Sequence, residues 1–162
     1  MRYNIDMELF SLIAPYFFAG VCATAVGFIW YHPSVFGKAW MRISDITPES
    51  AERQSKRKPL MAFVGMLAAM WMAYVMSFVL IAFQVYDVFG GLEVAFWLWA
   101  GFVAPTMLGV VLWEGKSVRL YLLNALYWLV ALIVISAVLT ISAGVLTASP
   151  VGVYDGSAQV TE

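Results

Sequence analysis

Apolar and polar positions segregate along this chain on the scale of whole helices. Four runs contain no charged residue, at about residues 10–30, 60–84, 94–113 and 120–146. A helix needs roughly 20 such residues to cross a hydrocarbon core of about 30 Å. The runs are continuously apolar, whereas strands of a membrane barrel would alternate. The pattern predicts an all-α fold, a polytopic membrane protein with four transmembrane helices in one bundle over 1–147, and a polar tail over 148–162. The first run is longer than a signal-peptide core, carries Asp6 and Glu8 where positive charge belongs, and ends on a Trp-Tyr pair, so it reads as a true span.

The connection 31–59 has a pattern of its own. It opens with "WYHPSVFGKAW", in which Pro33 cannot continue the first span but suits the first turn of a new helix. Val35, Phe36, Ala39, Trp40 and Ile43 then recur at helical spacing, with Lys38, Arg42 and Asp45 on other faces. This predicts a short amphipathic helix over 33–44, lying in the headgroup plane with its aromatics inward. "TPESAERQSKRKP" offers a second helical start, with Thr47 as cap and Pro48 at the first position.

Composition agrees: 63% of residues are hydrophobic and 12% charged, against about 45–50% and about 25% in a soluble domain. Six of the nine basic residues lie between spans one and two, and Lys116 and Arg119 lie between spans three and four. The loop "VYDVFGGLE" and the tail have none, so the positive-inside rule places both basic connections in the cytoplasm and both termini outside a cytoplasmic (inner) membrane. Trp30, Tyr31, Trp40, Trp113 and Tyr121 then form an inner aromatic belt, and Tyr86, Phe89, Trp97 and Trp99 an outer one. Acids share the basic loop and a membrane adjoins it, which favours lipid contact over nucleic acid.

Apolar burial gives helices little reason to associate in lipid, so close backbone approach through small residues carries the packing. Candidate stripes are Gly20, Thr24 and Gly27 in span one, Gly65, Ala69, Ala73 and Ser77 in span two, and Gly101, Pro105 and Gly109 in span three. Packing within the chain is the first reading of each, and the long stripe of span two leaves self-association open. A faint repeat links "GVCATAVGFIWYHPSVFGK" with "GFVAPTMLGVVLWEGK", which suggests a parallel two-plus-two arrangement.

Most chemistry fails the residue test. "GVVLWEGKS" lacks the first glycine of a phosphate loop, since position 110 is Val. Cys22 is alone, which excludes dithiol chemistry and an intrachain disulfide, and a single His32 supplies neither a metal cluster nor a bis-histidine haem. No cofactor or metal is expected. The spans hold no acid or base of the kind that couples transport to protons, and Asn124 is the most suggestive polar residue inside them.

The remaining candidates gather at one level, the inner interface: Trp30, Tyr31, His32, Phe36, Lys38 and Trp40 from the first exit, Trp113 and Glu114 from the third, and Asn124 and Trp128 from span four. A Lys38–Glu114 pair would hold the amphipathic helix against a mouth between spans one, three and four. An aromatic cage with a nearby Glu would suit cationic ligands. "WYHPSVFGKAWM" together with "GFVAPTMLGVVLWEGKSVRLYLLNALYWLV" resembles domain-of-unknown-function family 1761, small bacterial integral membrane proteins. Its pattern has a Trp-Tyr-x-Pro-x-x-Phe-Gly-x-x-Trp exit after the first helix and a Trp-x-Gly segment between the last two. The resemblance implies no activity. It also adds nothing to His32, a variable position of the pattern, and it leaves the tail and the loop "TPESAERQSKRK" outside.

Three functions follow as expectations. The first is a non-catalytic membrane protein that packs against itself or serves as an accessory subunit of a larger membrane complex. The second is a carrier or binder of a small amphiphile or lipid headgroup at the aromatic pocket. The third is a membrane enzyme using Glu114 or His32 as acid or base.

Overall fold

The computed structural model describes residues 2–44, 46, 52 and 57–148, and only the backbone of 2–11 and 144–148. The second helical start at Thr47 and Pro48, and the tail, lie outside the described residues. Helix α1 (Arg2–Trp30) leads into one π-helical turn (Pro33–Gly37) and the short α2 (Lys38–Ile43). Helix α3 (Lys58–Ala82) is the second span. The third consists of α4 (Val88–Leu98), a π-helical turn (Trp99–Val103) and α5 (Ala104–Leu112), and α6 (Val118–Ala148) is the fourth. Four helices are thus long and apolar enough to cross a membrane.

Helix α6 is the most buried of the four and lies against α1. Helix α3 packs on α1 and also touches α6, and α4 and α5 pack against α6. Each consecutive pair of spans therefore forms an antiparallel hairpin. The hairpins meet mainly through α1 and α6, while α3 and α4 touch only slightly. A twofold-related pair of repeats would make those two cross-contacts alike, so the hairpins correspond without being symmetric.

Small residues set the spacing. Ala19, Ala23, Ala69 and Ala73 form the α1–α3 side of the core, and Ala95, Leu132, Ile135 and Leu139 the α4–α6 side. A Cβ on Gly20 would meet Met70 Cγ at 2.5 Å, and one on Gly27 would meet the Tyr127 hydroxyl at 3.2 Å. Dispersion between backbones this close is what replaces the hydrophobic drive that lipid removes. Thr24 donates to Gly20 O at 2.7 Å, so its hydroxyl is satisfied within its own helix.

Three expectations change. The third span begins at Val88 and not near residue 94, because the Asp87 carboxylate accepts from Gly90 N at 2.9 Å and caps a new helix there. The glycine pair that reads as loop is helical, and a Cβ on Gly91 would meet Ser136 Oγ at 2.6 Å. Trp99 is no outer-belt residue: it points at α6 and donates through Nε1 to Ala125 O at 2.7 Å.

The stripe Gly101, Pro105, Gly109 also does not pack inside the chain. Pro105 has no N–H, and its ring would crowd the carbonyl four residues earlier. The turn before it widens to π geometry, Ala104 N–H bonding back to Trp99 O. Gly101 and Pro105 are exposed, nothing lies within 4 Å of a Cβ on Gly101, and a Cβ on Gly109 would meet only Trp113 of its own segment. In span two the stripe divides: Ala69 and Ala73 are buried, Ser77 bonds to Tyr74 O and lies 3.4 Å from the Tyr16 hydroxyl of α1, and Gly65 faces open space.

Candidate functional site

The first exit folds on itself through the residues of its own motif. His32 is extended, and its carbonyl accepts from Val35 N at 2.9 Å and Gly37 N at 3.0 Å. Pro33 occupies the first turn, where no N–H is needed. Gly37 is buried because a Cβ there would collide with the Tyr31 carbonyl. Trp30 lies on Phe36 with ring centres 4.5 Å apart, and Tyr31 meets Trp40 edge-on at 5.6 Å. Every fixed position of Trp-Tyr-x-Pro-x-x-Phe-Gly-x-x-Trp thus has a contact that explains it.

This fold turns α2 back beneath the bundle, where it touches α6. The Tyr31 hydroxyl donates to Asn124 Oδ1 at 3.0 Å. Tyr127 of α6 sits between the two exit rings, 6.4 Å from Trp30 and 5.2 Å from Tyr31, and 5.1 Å from Trp128. The aromatic cluster is therefore a staple between α1, α2 and α6. An interhelical hydrogen bond in lipid averages about 0.6 kcal/mol and reaches about 1.7.

Above this floor a cleft of about 700 Å³ opens between α1, α3 and α6. Tyr31, His32, Pro33, Trp40 and Lys58 line its outer end, and Thr24, Gly27, Gly65, Ala69, Ala131 and Ile135 line its inner end. The lining of α3 runs from Lys58 to Ala69, about 16 Å along a helix. That is close to half of a hydrocarbon core of about 30 Å. The inner walls are wide because they carry Gly and Ala. Among the described lining residues Lys58 has the one formal charge. His32 Nδ1 accepts from Ser34 N at 3.2 Å, which leaves the proton of the neutral ring on Nε2.

Of the sequence candidates, Tyr31, His32, Trp40 and Trp128 line the cleft, while Trp30, Phe36 and Asn124 support its floor. Trp113, Glu114 and Lys38 stay apart: Trp113 is 88% exposed, and Lys38 and Glu114 are exposed with no ion pair between them. The mouth lies between spans one, two and four, not one, three and four, because span three packs on the outer side of α6. Without Glu114 the cage for cations loses its acid. Sequence reasoning missed Lys58, Met61, Ala62 and Ala68 of span two, and Tyr127, and assigned Gly65 to helix packing instead of the cleft. The four-residue spacing of Gly65 and Ala69 was the available signal, but small residues permit a cleft as readily as a contact.

A bundle of four helices long and apolar enough to cross a membrane, with an apolar cleft floored at one end by the short α2, defines a polytopic membrane protein. The family described as Protein of unknown function (DUF1761) matches residues 14–140, and the chain belongs to that family. The match takes in the exit motif, the cleft and the three remaining spans. No curated protein and no solved structure matches the chain.

Proposed function

We propose that this protein binds a small amphiphile in the cleft, as a carrier or reservoir in the cytoplasmic membrane. The cleft itself is the observation that supports this reading: about 700 Å³, within the roughly 300–1,000 Å³ of small-molecule sites, and apolar with a few polar groups at one end. The charge rule puts that end at the cytoplasmic face. The test is lipid extraction and mass spectrometry of protein purified in mild detergent. Wild type should retain an amphiphile in stoichiometric amount, and Gly65→Leu, which fills the inner cleft, should not. Equal retention by both, or none by wild type, would refute binding in the cleft.

Self-association, or a place in a larger membrane complex, is a second reading. The exposed Gly101 and Pro105 on span three favour it, since small lipid-facing residues admit a neighbouring helix. In a Cys22→Ser background, Gly101→Cys should crosslink between copies under oxidant if this face pairs with itself.

A further inference from the structure

Resting on the proposed binding reading, we infer that the occupant is an anionic amphiphile, its head held at Lys58 and His32 and one chain running inward along α3 to Ala69. The cleft grades from polar to apolar along its length, so it fixes orientation. Lys58, His32 and Tyr31 lie at the interfacial end, and beyond Gly65 the walls offer only small or aliphatic groups besides Thr24, whose hydroxyl already bonds to Gly20 O. A head placed inward would leave its charge in hydrocarbon without a partner, which is strongly unfavourable.

Charge sets the sign. Lys58 is the one formal charge among the described lining residues, which include no acid. It begins α3, whose first turn has no side-chain cap. Pro59 in that turn contributes no N–H, and the dipole of the helix adds positive potential beside the ammonium group. His32 supplies a further donor, because its Nδ1 is occupied as acceptor and the neutral ring carries its proton on Nε2. Each of these favours a phosphate or carboxylate over an ammonium. The length fits as well: the lining from Lys58 to Ala69 spans about 16 Å, one leaflet's depth, so the chain of a free amphiphile or one chain of a bilayer lipid can occupy it.

The experiment uses full-length protein in phosphatidylcholine vesicles with two photoreactive probes of permanent charge, dodecyl phosphate and dodecyltrimethylammonium, each with a diazirine at the chain end. The phosphate should label peptides containing Ala68–Ala69 and Ala131–Ile135 saturably, about five-fold or more tightly than the ammonium probe, the pull of one interfacial cation on an anionic head. Lys58→Glu should invert that order and Lys58→Met should abolish it; both changes are at an exposed position. Equal or tighter labelling by the ammonium probe, with Gly65→Leu still abolishing both signals, would overturn the anionic assignment and leave the binding reading intact. No saturable labelling by either probe would overturn both. Ala68→Phe, checked for monodisperse elution, repeats the blocking test if Gly65→Leu does not fold. Competition by phosphatidylglycerol as well as by dodecyl phosphate would support a bilayer lipid as the source of the anionic head, and competition by dodecyl phosphate alone a free amphiphile.

Discussion

Gly91 tests whether the α4–α6 contact is as close as described. A methyl group there would lie 2.6 Å from Ser136 Oγ and 2.9 Å from Thr140 Cγ2, against 3.4 Å for ordinary contact. Helix α4 must therefore move by about 0.8 Å or Ser136 must turn away, and an interior this dense resists both. Ser136 is fully buried and donates to Gly91 O at 2.7 Å. The displacement strains that bond as well, worth about 0.6 kcal/mol on average and up to about 1.7. Overpacking adds about 1–3 kcal/mol, and replacing a helical glycine returns at most about 1 kcal/mol. Gly91→Ala should then destabilise the bundle by about 1–3 kcal/mol. Gly101→Ala, with nothing within 4 Å, should be neutral or stabilise by up to about 1 kcal/mol. The assay is unfolding in mixed micelles of rising SDS fraction, followed by circular dichroism. Ser136→Ala alone should cost roughly the hydrogen bond, and the Gly91→Ala/Ser136→Ala double variant less than the two single costs together, since the nearest obstacle is gone. Equal stability of Gly91→Ala and Gly101→Ala would refute the close approach.

On α3, Ala73→Leu should cost about 1–3 kcal/mol by overpacking, whereas Val75→Leu on the exposed face should stay within about 0.5 kcal/mol in the same assay; Ala69→Leu should destabilise less than Ala73→Leu and reduce amphiphile retention, because Ala69 borders the cleft. Tyr31→Phe should lose about 0.6–1.7 kcal/mol, and a double-mutant cycle with Asn124→Leu should return a coupling of that size; a coupling of zero would dissolve the bond from Tyr31 to Asn124. For orientation, in a Cys22→Ser background, Gln84→Cys should react with an impermeant maleimide on intact cells and Lys116→Cys only after lysis; the reverse labelling would place the cleft at the outer face.

The spans were legible because an uninterrupted apolar run has one solution in lipid. The amphipathic α2 was legible too, since Phe36, Ala39, Trp40 and Ile43 repeat at helical spacing beside Lys38 and Arg42. Boundaries set by a single side chain were harder: Asp87 caps a helix within a stretch whose Gly90 and Gly91 read as loop. Charge and aromatic placement predict which residues share a level along the membrane normal. They carried no information about lateral order, which depends on whether Gly20 receives Met70 and Gly27 receives Tyr127. For that reason the sequence groups Glu114 and Trp113 with a cleft that lies on the other side of α6. The π-helical turn had a visible cause in Pro105, but the open space beside Gly101 needs the three-dimensional register.

The central position of α6 bears on how the protein is made. Spans one and two can pair as soon as both have left the ribosome, since α1 and α3 share a long contact. Span three then enters the bilayer with only a slight contact to α3 and waits, because the surface it docks on belongs to α6. Synthesis of the last helix therefore joins two halves that would otherwise drift apart, and a chain arrested before Val118 presents quality-control proteases with one folded hairpin and one orphan helix.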